Sequence, residues 1–497
     1  MRVILFAFLF PALLAAQSLP AFEKKVTEFT LSNGLRFLVI ERHEAPVVSF
    51  HTYVSVGSVD DPRGETGIAH MFEHMAFKGT QTIGTKNWPK EKAALDEVER
   101  IYDQLDQERR KFLRADPKKI EALEAQVKDA IAKADSYVES NEYDRIVESN
   151  GGVGLNAGTA EDSTNYYYSF PANRLELWFL LESERFLQPV FREFYKERDV
   201  VREERRMRVE SSPQGKLVEM LLATAIAAHP YRSMPGGWAS DIDNFRRTEA
   251  EKFYKIFYTP GNMTIGIAGD VKPADARRLA EKYFARLPRG PLPPLIHTIE
   301  PEQEGEKRVA VASMAQPFLA VAYKRPDQYS KDDAAIDVLS DVLSSERTGI
   351  IYKEMVRDKK IALGAGTQST FPSGRYPALF LFFAAPATGH TVDENEKALY
   401  EIIERLKKGK VDAGTLQRIK TKLRAELIRK LDSNSGLAEE LCSYSVNYGD
   451  WRKLFTQLDD YNRVTADDVQ RVAQKWLIPS GRTVAYTFTP EKEGGAK

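Results

Sequence analysis

Apolar residues alternate with polar ones on both sides of Asn33 and Gly34, between Val26 and Ile40, which predicts a β-hairpin. A further strand is expected over 47–56, leading through Gly57, Asp61 and Pro62 into a helix. In that helix Ile68, Phe72 and Met75 recur at i, i+4 and i+7 and would bury one side, with Thr66 as the expected N-cap. From Trp88 to about Val138 the chain turns to Lys, Glu, Asp, Arg and Ala, with two apolar stripes at helical spacing. Leu95, Val98, Tyr102 and Leu105 mark the first; Ile120, Leu123, Val127 and Ile131 mark the second. Asp116 and Pro117 stand between them as cap and first helical residue, so the segment reads as an antiparallel helical hairpin. A charged run of this kind is read as a solvated face and is assigned no chemistry.

The glycine-rich stretch from Gly151 is expected to be flexible and to run into a strand near Tyr168. An amphipathic helix over 174–187, a charge-dense segment over 195–210, a helix over 248–257 and a turn into a strand over 258–270 follow. Residues 288–305, rich in Pro, Glu and Gly, read as a linker. Beyond it the pattern recurs, with a strand at 318–323, a helix at 333–343, and 477–486 echoing 258–267. Pairing His70 with Val338 gives an offset of about 268, and pairing Pro260 with Pro479 gives about 219. The difference, roughly 49, is close to the length of the charged hairpin, so the chain reads as a duplicated α/β unit whose first copy carries an insertion.

At 497 residues the chain fits two to four domains. Lys plus Arg, 71, nearly cancels Asp plus Glu, 72, so composition gives no case for nucleic acid or for a membrane surface. The single cysteine, Cys442, excludes an intramolecular disulfide and a cysteine metal cluster. A metal here must be held by imidazole and carboxylate, which suits zinc. Arg2, the apolar run from Val3 to Leu14, and Ala15 and Ala16 before Gln17 have the pattern of a cleaved secretory signal. The run is too short for a permanent span, so the expectation is export across the inner membrane to the periplasm with no stable membrane anchor.

The chemistry concentrates at His70, Glu73 and His74, in the order H-x-x-E-H. On a helix the two imidazoles share a face one turn apart and can bind one metal ion, with Glu73 between them to take a proton from a water there. Among only seven histidines, two at this spacing around a glutamate are not a chance pairing. A catalytic zinc needs a third protein ligand and an open position. The best supplier is the helix from Glu197 to Met207, where Glu197 and Glu204 share a face two turns apart; one could coordinate while the other orients the site. At the matching positions the second copy has Val338, Asp341 and Val342, and cannot bind the metal.

Gly67 to Thr80 and Glu197 to Glu204 together resemble the two metal motifs of the insulinase/pitrilysin metallopeptidases, in the branch that holds the mitochondrial processing peptidase and its bacterial relatives. The resemblance implies one zinc per chain on His70, His74 and Glu204, with Glu73 as base and Glu197 behind the ligands. The family usually has this third glutamate some fifty residues nearer the second histidine, and the hairpin accounts for the excess. Asn156, Ala157, Gly158 and Thr159 resemble the family segment that lines the cleft and pairs with substrate backbone.

The fold implied is α+β: two homologous α/β-roll domains, antiparallel-rich sheets plus helices, forming half of a clam-shell chamber. The expected divisions are a leader at 1–16, a catalytic domain at 17–287 with the insertion at about 88–138, a linker at 288–305 and a metal-free copy at 306–490. One departure stands out. The family's second half carries an arginine and, seven residues on, a tyrosine that grip the substrate; here Arg357 is followed by Gly364 at the tyrosine position. The chain therefore reads as the catalytic half of a heterodimer whose homologous metal-free subunit supplies the Arg/Tyr pair, or as a homodimer. It would cleave peptides or unfolded protein segments. The rival readings are a non-catalytic assembly or binding subunit and a zinc hydrolase of other bonds.

Overall fold

The computed structural model describes residues 23–490, and the expected leader lies outside them. Strands β1 (Val26–Thr30) and β2 (Arg36–Glu41) form the antiparallel hairpin, with Gly34 at φ +99° in its turn. They join β3 (Val47–Val54), β4 (Val153–Thr159), β5 (Thr164–Pro171) and β6 (Met263–Gly269) in one sheet of order β1-β2-β6-β3-β5-β4. A second sheet has the order β7-β11-β8-β10-β9, from β7 (Lys307–Ala312), β8 (Leu319–Arg325), β9 (Ala362–Phe371), β10 (Ala378–Pro386) and β11 (Arg482–Phe488).

Without β1 the two sheets match strand for strand. β2 runs parallel to β6 as β7 does to β11, and every other pairing is antiparallel. The turn at Pro260–Asn262 before β6 recurs at Pro479–Gly481 before β11. These are the two α/β rolls expected from the repeat.

Helix α1 (Ile68–Met75) follows β3, as a later helix, α6 (Asp333–Ser344), follows β8. In α6 the positions matching the two histidines, Val338 and Val342, are buried core residues. The hairpin consists of α2 (Trp88–Arg109) and α3 (Pro117–Asp135), with Asp116 accepting from the N–H groups of Lys118 and Lys119. The stretch from Gly151 departs from expectation: most of it is β4, the edge strand beside β5, ordered by pairing Asn156, Ala157, Gly158 and Thr159 with Tyr167, Tyr166, Asn165 and Thr164.

The two halves are not separate bodies. Helix α5 (Pro213–Ala225), from the first half, packs Leu217, Leu221 and Leu222 with Ala320, Ala322, Leu379, Leu381 and Ala485 of the second sheet. Helix α7 (Asn434–Tyr448), from the second, packs Leu437, Ala438 and Leu441 with Leu38, Ile40 and Ala268 of the first. Alternation along β2 serves both layers: Phe37 and Val39 face the first half's own core, Leu38 and Ile40 face α7. At Gly266 a Cβ would lie 2.5 Å from the Ala438 carbonyl oxygen and 2.8 Å from Cys442 Sγ, so the approach of α7 needs a glycine there. The segment 288–305 has no regular secondary structure, yet Glu300 in it accepts from the N–H groups of Ala227, Ala228 and His229 and from Lys324.

Candidate metal centre

Helix α1 is held in place from both ends. Gly67 starts it at φ +95°, and a Cβ there would press within 3.1 Å of the Gly237 backbone. The Asp61 carboxylate, rather than Thr66, serves its free N–H groups, accepting from Gly67 at 2.6 Å and Ala69 at 3.0 Å. Thr66 was the expected cap; its hydroxyl instead donates to Asp241 across the loop. Phe72 anchors the buried side against Phe191, Tyr254 and Tyr258, where full burial of such a side chain stabilises by about 1.5–3 kcal/mol. The loop after the helix is tied down by buried Arg192, which donates to the carbonyls of Lys78, Thr80 and Ile83 and pairs with Glu91 of α2 at 2.7 Å.

Helix α4 (Phe194–Arg205) packs against α1 and continues into a π-helical turn, Arg206–Glu210, just after Glu204. π-turns of this kind frequently sit at functional sites. Glu204 Oε2 lies 3.7 Å from His70 Nε2 and 3.4 Å from His74 Nε2. One ligand atom from each of the three residues lies within 4.8 Å of the others, and the two imidazoles stand at 90° with centroids 4.9 Å apart. Tetrahedral zinc with bonds of about 2.0–2.1 Å separates its ligand atoms by about 3.4 Å. The donor set, two imidazoles and a carboxylate, and its spacing therefore fit one zinc ion.

The surroundings fix these three side chains. His74 Nδ1 lies 2.9 Å from Glu197 Oε1, which leaves Nε2 for the centre, and Glu197 Oε2 is 2.6 Å from Lys78 Nζ. Glu204 Oε1 pairs with Arg208 at 2.7 Å, which leaves Oε2 toward the imidazoles. His70 Nδ1 is buried without a hydrogen-bond partner among the described residues.

Burial, with the nearby His74 charge, pulls the His70 imidazole down to about 4, so it is neutral and its nitrogen lone pair is available. At His74 burial also pushes down, but the hydrogen bonds to Glu197 and Glu204 outweigh it and raise the ring to about 9. Glu204 is lowered to about 2 chiefly by its hydrogen bond with His74, against the effect of burial. Burial pushes the Glu197 carboxyl up, but hydrogen bonds from His74 and Lys78 outweigh it and lower it to about 2. Two carboxylates around one imidazole favour a proton, and they favour a divalent cation in its place.

Glu73 lies on the same side of α1, and burial raises its carboxyl while a hydrogen bond from Thr159 works against the rise. It lines a cleft of about 340 Å³ together with His74, Lys78, Asn141, Asn156, Arg192 and Glu197. The cleft brings Asn156 of β4 beside the histidine helix, and Thr159 reaches Glu73 itself. Ala157 and Gly158 lie between them on the same edge strand. Arg357 is not brought here: it is exposed, pairs with Asp358 at 2.6 Å and belongs to the second half, while a Cβ at Gly364 of β9 would meet open space. Sequence reasoning passed over Asp61, Lys78 and Arg208. The two cations had a signal, each standing four residues after a candidate ligand, His74 or Glu204; Asp61 had none, because it acts across a loop.

The family described as "Insulinase (Peptidase family M16)" matches residues 36–101 and 114–234, and "Peptidase M16 inactive domain" matches 244–423. The chain is 27% identical to zinc protease PqqE of Helicobacter pylori over 468 residues, covering 92% of this chain and 91% of that one. It is 23% identical to a probable mitochondrial-processing peptidase subunit beta of Arabidopsis thaliana, covering 92% and 77%. The structure of a protease from Helicobacter pylori superposes with a TM-score of 0.78 at 26% identity, over 93% of this chain and 99% of that one. Zinc proteases recur among these relatives, and the fold, the repeat and both family matches agree: the chain belongs to the insulinase family of peptidases, family M16.

Proposed function

We propose that the chain is a zinc-dependent endopeptidase acting on peptides or unfolded polypeptide segments, through one zinc on His70, His74 and Glu204 with Glu73 as general base. The observation that carries the reading is the convergence of those three ligand atoms within 4.8 Å, beside Glu73 and at the end of an open sheet edge. Zinc supplies a Lewis acid there, polarising a scissile carbonyl and making a water acidic. Glu73 accepts the proton of the attacking water and passes it to the leaving amine; its raised pKa suits a group that must both take and give a proton. The Thr159 hydroxyl steadies that carboxylate. Glu197 holds the His74 ring so that Nε2 faces the centre. A substrate strand would add to β4, using main-chain groups of Asn156, Ala157, Gly158 and Thr159 for affinity and the adjoining cleft for preference.

The chain would act as the catalytic half of a clam-shell pair with a homologous metal-free chain, or as a homodimer. Gly364 at the tyrosine position and the exposed, internally paired Arg357 support a grip supplied from outside. Full activity of the purified chain, unchanged by any partner, would exclude the heterodimer. The leader-like pattern of residues 1–16 supports a periplasmic location, to be checked by cell fractionation and N-terminal sequencing.

The decisive experiment incubates the zinc-loaded protein with a mixed peptide library, with and without chelator, beside Glu73→Gln. The variant should keep zinc and lose about 10²–10⁴-fold in kcat. Retained full activity removes Glu73 from the chemistry. A wild-type chain that binds peptides and cleaves none supports the binding-subunit reading instead.

A further inference from the structure

The helical hairpin ends in a tip that nothing among the described residues covers. Along its length α2 is clamped to the body: Glu91 pairs with Arg192, Glu99 and Asp106 with Arg246, and Tyr102 stacks on Tyr195. Past Asp106 the clamps end. Among the described residues, 109–119 make hydrogen bonds and ion pairs only within the hairpin. At the turn Phe112 is 82% exposed and Leu113 104%. Phe112 has φ +51°, a conformation unfavourable for a side chain of its kind, and its ring stacks on no other among the described residues.

The charge around this apolar pair is equally local. Residues 108–119 hold six cations against two carboxylates, in a chain whose formal charge is −1. Arg110, Arg114 and Lys118 are exposed and have no ion pair among the described residues. The match to the insulinase model breaks over 102–113, a stretch that includes Arg110, Phe112 and Leu113.

We propose that this tip docks the protein on an anionic lipid surface. Phe112 and Leu113 enter the boundary between headgroups and acyl chains, and Arg110, Lys111, Arg114, Lys118 and Lys119 meet the phosphates. The order of groups favours a bilayer over a protein partner: two protruding apolar side chains outermost and exposed cations just behind them match the depth profile of a membrane interface. The balanced total charge conceals this patch. The base of the hairpin, at Val138 and Glu139, lines the cleft beside the metal centre. Docking by the tip would hold that cleft off the surface by roughly the length of α2, about 33 Å for 22 helical residues.

The test is flotation of the intact chain with phosphatidylcholine vesicles, with and without about one third phosphatidylglycerol. Binding is expected to the anionic vesicles alone and to weaken with salt. Phe112→Ser with Leu113→Ser, and separately Arg110→Ser with Arg114→Ser, should each weaken it by about tenfold or more while circular dichroism stays unchanged. Phe112→Trp should add a fluorescence component that shifts to the blue on anionic vesicles. Wild-type protein that ignores anionic vesicles, binds neutral ones equally, or binds as well without the tip residues overturns the proposal. So does a tip that captures an acidic protein and no vesicle, which would assign it to a protein partner.

Discussion

Glu197→Gln separates the charge of this carboxylate from its hydrogen bond. The amide oxygen can still accept from His74 Nδ1 across the present 2.9 Å, but the full negative charge beside the ring is lost, and Lys78 Nζ, now 2.6 Å from the second oxygen, faces a neutral group. A partner behind a ligating imidazole is worth about 10–100-fold in metal affinity. Glu197→Gln, which keeps the geometry, should lose about tenfold, or about 1.4 kcal/mol, and Glu197→Ala about 100-fold. Proton competition adds a second signature. His74 carries a proton below about pH 9, and a metal must displace it, so wild-type zinc affinity should rise about tenfold per pH unit until about pH 9 and then level. Without the Glu197 charge the ring titrates lower and the rise must level earlier. The deficit of the variant is therefore largest near pH 9 and smaller near pH 7. Competition against a chromophoric zinc chelator across that range measures both. An unchanged plateau together with an unchanged break would refute the role assigned to Glu197.

Three further outcomes follow from the contacts above. Glu204→Ala should purify without zinc, whereas Glu203→Ala, whose side chain is exposed and paired with Arg206, should retain it; metal analysis of the two variants checks the register. Leu441→Ala, at a fully buried position where α7 meets the first sheet, should cost about 2–5 kcal/mol in denaturant unfolding. Glu300 is held down at about 2, because Lys324 and three backbone N–H groups outweigh burial. A lowered carboxyl stabilises the fold above its unfolded pKa and loses that contribution as pH falls, so the Tm gap between wild type and Glu300→Gln should be widest near neutrality and close between about pH 4.5 and 2.

What could be read in the sequence was what repeats locally. The hairpin of α2 and α3 follows from two stripes and a capped break, and the histidine pair from one helical turn. The duplication followed from offsets, and the order of the second sheet repeats the first, β1 apart, strand for strand. β4 was missed because Gly151, Gly152, Gly154 and Gly158 erase any alternation; its order comes from pairing with β5, not from its own side chains. Thr66 looked like a cap because local sequence cannot weigh it against Asp61, which reaches the same N–H groups from beyond Pro62. The hairpin reads as alternating, yet Phe37 to Ile40 of β2 is an unbroken buried run, the pattern of a strand covered on both faces. It could not say that the cover on one face comes from residues 434–448, some four hundred positions away.

The exchange of α5 and α7 gives the metal-free half a reason to persist. Each copy of the ancestral unit lends a helix to its sibling, as partners do in a swapped dimer, here fused into one polypeptide. Deleting the second half would strip Leu38, Ile40 and Ala268 of their cover and expose the back of the sheet that carries the histidine helix. At the positions matching the two histidines the second half has the buried core residues Val338 and Val342, so what those positions contribute is packing. The half that gathers His70, His74 and Glu204 thus depends on the other for its packing, so neither is a free-standing unit.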